Sequence, residues 1–337
     1  MIRYPHNRID ARASYPAIFI IMLRFFIFCL MISVFFLSCS RRDSIAHNSS
    51  RVETRPLLAL SILPQTWFAQ RLAGDRVRTL VLAGPGQNPH NYEPTPVQMK
   101  ELAQAGAWVL SGVEFEISLA QKIRSIFSNL VIIDGTEGVR FRMMEPDDDD
   151  SHSEGIDRHT WLGFEPAKIL SAHILEALIL IDPAGEDAYN ANFEALINDI
   201  NNVRTSLRSE LAPLKGSSVY VYHPSFGYFL DEFGIRQEAV ETGGKEPGPR
   251  ELARLISEMK QKKVAAIFVQ AQFPVNAAET VAHATGAQLI SLDPLSAEWL
   301  DNILVMGNAL KAAAQTSGSV SAGGFRPASA PASVRTE

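Results

Sequence analysis

Eight histidines are spread over a chain of 337 residues, and imidazole is the side chain best suited to hold a transition metal or to titrate near neutral pH. Four positions stand out by where they fall. His90 lies in AGPGQNPHNYEPTP, a Gly/Pro loop leaving the apolar run VRTLVL (77–82); His223 ends SVYVYH (218–223), and Asp293 ends AQLISLD (287–293). His159, in IDRHTWLGFEP, follows the run NLVIID (129–134) through a long connection. All four therefore follow the carboxyl end of an expected strand, which is where parallel α/β sheets bind ligands. Three imidazole nitrogens and one carboxylate oxygen form an N3O set suited to tetrahedral Zn2+. Any one of these histidines alone is better explained as an ordinary loop residue; jointly they place two candidates on each of two sets of elements. His173 and His283 fall inside helical patterns, where a partnered structural imidazole is expected.

The elements that must position these groups alternate between strand and helix. LLALSI (57–62), VRTLVL, AWVLSG (107–112) and NLVIID form a first set, interleaved with helices at Pro64–Ala73, after Thr95-Pro96-Val97-Gln98 (a capping box with proline at the first helical position) and near 115–127. SVYVYH, VAAIFVQ (264–270) and AQLISLD form a second set, with helices through Phe233, over Pro249–Lys262 and over Pro274–Thr285. Near-continuous apolar strands alternating with helices predict parallel sheets covered on both faces, hence an α/β chain of two lobes. Between the sets lie helices at about 166–181 and 186–212, the second with Tyr189, Phe193, Leu196, Ile200, Val203 and Leu207 on one stripe. That long helix is either a rigid spacer joining the lobes or a surface helix of one domain; complete sets on both flanks favour the spacer. The expected organisation is an N-terminal lobe (56–182), a linker helix (183–215) and a C-terminal lobe (216–312).

Composition limits the function classes. The chain is 46% hydrophobic and 20% charged with a net charge of −6 and no basic tract, which argues against nucleic acid or an anionic membrane surface as partner. Only two cysteines, Cys29 and Cys39, are present, so a disulfide scaffold is excluded. The apolar run FFIFCLMISVFFL (25–37) rises only about 20 Å as a helix, short for a bilayer core of about 30 Å. With Arg24 before it and Ser38-Cys39 after it, residues 1–38 read as a secretory signal, the alternative being an uncleaved anchor, and translation starts at Met1 or at Met22. Phe36-Leu37-Ser38-Cys39 resembles a bacterial lipobox, which implies lipidation of Cys39 and a flexible tether over 39–55. Residues 313–337, rich in Ser, Ala, Gly and Pro, are expected to be disordered.

Seven ordered blocks then carry a resemblance: GQNPHNYEPTP (86–96), HTWLGFEPAK (159–168), DPAGEDAYNANFEAL (182–196), HPSFGYFLDEFGI (223–235), EPGPRELARLI (246–256), TVAHATGA (280–287) and LDPL (292–295). Together they resemble the zinc/manganese ABC-transporter solute-binding proteins (ZnuA-like) from about Leu57 to Leu310. The resemblance implies a metal site in the interlobe cleft formed by His90, His159, His223 and Asp293. It also implies a monomeric receptor, periplasmic or lipid-anchored at the cell surface, that binds Zn2+ (or Mn2+) and passes it to an ABC permease. Three departures are visible: Pro224-Ser225-Phe226 replaces a usual Asp-Ala-Trp, Gln270 stands where a glutamate is common, and Asn88 replaces an aspartate. Tyr92 and Glu93 are candidates for orienting the imidazoles, or simply helix-start residues. Met143–His152 falls where zinc-specific members carry a histidine-rich loop; with Asp150 and His152 it is either a weak auxiliary metal loop or a solvated, self-repelling segment. The competing readings are a Mn2+/Fe2+ receptor of the same family, a secreted zinc hydrolase and an adhesin lipoprotein. No HExxH motif is present, and four protein ligands would close the zinc sphere against catalysis.

Overall fold

The structure, a computed structural model, describes residues 55–144, 155–241, 246–273 and 276–320. Strands β1 (Leu57–Ile62), β2 (Arg78–Ala83), β3 (Ala107–Leu110) and β4 (Val131–Asp134) form one sheet in the order β2-β1-β3-β4. Strands β5 (Ser218–Val221), β6 (Arg236–Ala239), β7 (Ala266–Val269) and β8 (Gln288–Ser291) form a second in the equivalent order β6-β5-β7-β8. Every pairing is parallel. Central strands β1, β3 and β7 are buried along their whole length, as covered parallel strands must be, whereas edge strands β4 and β8 expose both ends.

One strand escapes the sequence reading. β6 is Arg-Gln-Glu-Ala, an edge strand without an apolar run, and it owes its place to pairing with β5 rather than to its own side chains. Gln237 within it is buried, and its Oε1 accepts the Phe226 N–H at 2.8 Å. That bond seats the Pro224-Ser225-Phe226 turn, with Phe226 itself buried.

Helices α1 (Gln65–Ala73), α2 (Pro96–Leu102), α3 (Glu114–Ile126) and α4 (Phe164–Ile181) belong to the first lobe; α6 (Gly227–Asp231), α7 (Pro249–Lys262) and α8 (Asn276–Thr285) to the second. The long α5 (Glu186–Glu210) joins them, and its expected stripe is the buried one: Tyr189, Leu196, Ile200 and Leu207 are buried, Phe193 and Val203 packed beside them. A last helix, α9 (Trp299–Val320), covers positions 313–320, where disorder is expected from composition; residues 321–337 lie outside the described residues. Trp299, Ile303, Met306 and Leu310 in it are buried at helical spacing. Gly307 lets α9 close on α5, because a Cβ there would lie 2.4 Å from Leu207 Cδ2. Among the described residues no helix is long and apolar enough to cross a membrane; the run 25–37 and Cys39 lie outside them.

One hydrophobic core runs through both lobes, from Leu58 and Trp108 of the first sheet to Val221 and Phe268 of the second and Leu292 just after β8. A smaller cluster (Tyr220, Val240, Met259, Ile267, Val281) covers the outer face of the second sheet. The shared core is aromatic where the lobes meet. Trp299 packs on Phe68 (5.1 Å) and Trp67 (5.6 Å), and Phe164 meets Phe229 and Phe233 at 6.4 and 6.1 Å. Two indoles also donate across the contact: Trp299 Nε1 to the Trp161 carbonyl (2.6 Å) and Trp161 Nε1 to the Pro294 carbonyl (2.8 Å). Truncating such a residue removes packing and leaves a cavity, at a cost of about 3–5 kcal/mol. Trp299→Ala is therefore expected to lower the unfolding free energy measured in urea by that amount while unfolding stays a single transition; two separate transitions in the wild-type chain would show that the lobes do not share their core.

Candidate metal centre

In each sheet the strand order reverses beside β1 or β5, and the crevice outside the carboxyl ends at such a point is the favoured ligand position. Three imidazoles meet there. His90 sits in a 3-10 turn (Pro89–Asn91) after β2, started by Asn88, whose Oδ1 accepts the His90 N–H at 3.0 Å. Asn88 thus starts the turn through its own side chain. The loop is secured behind His90 by the expected capping box: Thr95 Oγ1 accepts from Gln98 N (3.3 Å) and Gln98 Oε1 from Thr95 N (3.0 Å). Gln98 also accepts from the Tyr92 hydroxyl (2.8 Å) and donates to the Leu82 carbonyl (2.8 Å).

His159 precedes a 3-10 turn (Thr160–Leu162) at the foot of α4, and its ring is buried. His223 follows β5, and the fully buried Gln270 clamps its backbone, accepting from His223 N (3.2 Å) and donating to His223 O (2.7 Å) and Ser225 Oγ (3.1 Å). The residue that departs from the family pattern at 270 therefore grips the main chain rather than the imidazole. The Phe273 ring stacks on His223 at 4.2 Å with planes 22° apart.

Each imidazole has its own carboxylate on Nδ1: Glu114 for His90 (3.0 Å), Asp157 for His159 (2.8 Å) and Glu241 for His223 (2.5 Å). A carboxylate at Nδ1 holds the proton there and leaves Nε2 as a lone pair. All three Nε2 atoms converge: His90 to His223 is 3.1 Å and His223 to His159 is 3.2 Å. Among the described residues this trio is the group of potential ligands whose ligating atoms all lie within 4.8 Å of one another. Tetrahedral zinc with Zn–N bonds of about 2.0–2.1 Å separates its ligands by about 3.3–3.4 Å. The His90–His223 and His223–His159 pairs stand within a few tenths of an ångström of that spacing.

Electrostatics agree with this assignment. Burial, reinforced by repulsion from His159 and His90, pushes the His223 imidazole far below the ordinary range and keeps it neutral. Burial alone would raise the Glu114 carboxyl, but the favourable contacts led by the His90 hydrogen bond together outweigh it and hold it at about 2. The walls around the trio are largely apolar: Pro89, Val113, Trp161, Phe273, Pro294 and Leu295.

Asp293 stands outside the trio. It is exposed, and its Oδ1 accepts from Gln272 Nε2 (2.7 Å) and from Leu295 N (2.9 Å). Gln272 Oε1 lines the same crevice, buried and with no hydrogen-bond partner among the described residues. Tyr92 turns its hydroxyl to Gln98 and packs on Phe115 (4.9 Å), and Glu93 is exposed. The groups that orient the imidazoles are Glu114, Asp157 and Glu241, none of which the sequence reading selected. Asp157 left a local signal, since a residue two before a histidine reaches both its N–H (2.9 Å) and its ring. Glu241 follows β6, the strand that was not recognised. His173 Nε2 donates to the Glu137 carbonyl (3.0 Å), a structural role; Asp150 and His152 lie outside the described residues.

Sequence and structure comparisons converge on one group of proteins. The family described as ZnuA, zinc-uptake complex component A, periplasmic, matches residues 59–313. A high-affinity zinc uptake system protein ZnuA of Yersinia pestis is 25% identical over 259 residues, covering 70% of this chain and 81% of its own. A crystal structure of ZnuA superimposes with a TM-score of 0.71 at 32% identity, covering 77% of this chain and 99% of that one. FpvC of Pseudomonas aeruginosa, solved in complex with Mn2+, gives a TM-score of 0.66 at 26% identity, covering 78% and 100%.

Neutral His223 has a measurable consequence in the metal-free chain. An unfolded histidine takes up a proton below pH about 6.5, whereas the buried one does not, so stability falls as pH drops below that value, by up to about 1.4 kcal/mol per pH unit. Urea midpoints of the wild type and His223→Gln at pH 7.5 and 5.5 are expected to differ in slope, with the wild type the steeper. Equal slopes would contradict a neutral His223.

Proposed function

Because the chain belongs to the ZnuA family of periplasmic zinc-uptake components, we propose that it is an extracytoplasmic receptor that captures Zn2+ and delivers it to an ABC permease for import. The family is a transporter component rather than an enzyme family, and metal binding is its common property. The observation that carries the reading is the convergence of three Nε2 lone pairs, each fixed by a carboxylate on the far side of its ring. Three lone pairs facing one point repel one another unless a cation lies between them.

Zinc is the proposed cargo. An all-imidazole trio, with His223 near tetrahedral ligand spacing from both His90 and His159, suits Zn2+, whereas Mn2+ favours oxygen-rich octahedral sites. Asp293 is proposed as the fourth ligand, exchanging the Gln272 amide for the ion; Gln272, Pro294 and Leu295 line the cleft beside it. Binding across the two lobes favours the arrangement in which both reach the ion, which the permease is proposed to distinguish from the empty receptor. Attachment through lipid on Cys39 and a monomeric state complete the proposal.

Isothermal titration tests it. Deleting a group that only orients a metal ligand typically costs 10–100-fold in affinity, so His223→Ala, which removes a ligand, is expected to lose more than about 100-fold. Unchanged zinc affinity would remove the site. Asp293→Ala is expected to weaken zinc less severely, and an unaltered constant would take Asp293 out of the coordination sphere. In direct competition Zn2+ is expected to displace Mn2+; preferential retention of Mn2+ would transfer the receptor to that metal.

A further inference from the structure

Behind His159 lies a second layer of charge that reaches the other lobe. Asp157 is fully buried and uses both carboxylate oxygens: Oδ1 holds the His159 ring and N–H, and Oδ2 accepts from Arg142 Nη1 at 3.0 Å. The same guanidinium donates through Nε to Asp231 Oδ2 (2.8 Å), at the end of α6 in the C-terminal lobe. The backbone repeats the connection. Arg142 N donates to the Tyr228 hydroxyl (3.0 Å), the Tyr228 hydroxyl donates to the Asp157 carbonyl (2.9 Å), and Asp157 N donates to the Arg142 carbonyl (2.9 Å). Gly227 leaves room for the guanidinium, since a Cβ there would lie 2.3 Å from Arg142 Nη1.

We propose that Arg142 is a positioning residue for the metal site: by gripping Asp157 and Asp231 together, it fixes the orientation of His159 only while α6 is docked on the N-terminal lobe, and so couples the ligand geometry to the lobe contact. The fork of the guanidinium is what permits this, because one planar group serves two carboxylates in fixed directions, which an ammonium cannot do. Its charge also offsets that of Asp157, which would otherwise be buried against a neutral imidazole. An internal comparison exists in the same interface. Arg204 joins Glu165 of α4 to Glu232 just beyond α6, and Arg208 also contacts Glu232, yet the carboxylates they bind do not hold an imidazole. Arg204 therefore bridges the lobes without reaching the metal ligands.

The inference rests on the metal-receptor reading, and the test separates the two. Zinc affinity of the full chain is measured by chelator competition, and the visible absorption of the Co2+-loaded chain reports the ligand field. Arg142→Ala is expected to weaken zinc by about tenfold, at the lower end of what loss of an orienting partner costs, and to change the cobalt bands. Arg142→Lys is expected to fall between it and wild type, and Asp231→Asn to weaken zinc a few-fold with Asp157 still paired. Arg204→Ala is expected to lower thermal stability while leaving affinity and bands as in wild type. Should Arg142→Ala fail to fold, Arg142→Lys and Asp231→Asn carry the same comparison. Wild-type affinity and bands in the Arg142 variants, or equal changes in Arg204→Ala, would overturn the proposal while leaving the receptor reading intact. A wild-type chain that takes up neither ion would overturn both.

Discussion

Three carboxylates placed on the outer nitrogen of three rings determine what this molecule is. Each fixes a tautomer, and the sum of three fixed tautomers is a point of concentrated negative potential that only a cation relieves. Geometry alone would not achieve this. Three histidines free to rotate or to exchange protons would turn lone pairs away from one another or place a proton between them. Burial of His159 and His223, and the apolar walls of Trp161, Phe273 and Leu295, deny the rings the water that would make those alternatives cheap. The fold supplies the rest: two sheets of equivalent order bring loops from different lobes to one crevice.

Much of this was legible in the sequence. His90, His159 and His223 could be singled out because each follows an apolar run and the carboxyl ends of parallel strands face one side, so position along the chain translates into position in space. The stripe on α5 was legible for the same reason, a period written into the residues themselves. What could not be read depends on pairing between distant segments. β6 has no apolar signature because it is an edge strand held by β5, and Glu241, two residues beyond its end, was hidden with it. Glu114 begins a helix, where an acidic residue is ordinary, and nothing local marks its hydrogen bond to His90. Asp293 illustrates the converse: its place after β8 was readable, but not that Gln272 and the Leu295 amide would engage its carboxylate.

The lobes are joined in a manner that leaves little slack. A hinge between independent cores would move freely, but here the aromatic contact of Phe68, Phe164, Phe229 and Trp299 belongs to one core, and α5 packs along α4, α1 and α9. Dense apolar packing resists continuous deformation and shifts between discrete arrangements instead. Gln272 and Asp293, tied to each other by one exposed hydrogen bond, are held less firmly than the imidazoles and their buried partners.

One small feature has a use beyond the native molecule. Met143 and Ile156 form an antiparallel bridge, Met144 N donates to the Gly155 carbonyl, and Asp157 N donates to that of Arg142, so the chain is stitched shut at the root of the acidic segment. Met144 and Gly155 are thereby pinned side by side next to Asp157, whose carboxylate holds His159. The stitch is therefore a natural grafting point, since a reporter peptide or dye carried between Met144 and Gly155 would hang from ends fixed beside Asp157 rather than from the imidazoles themselves.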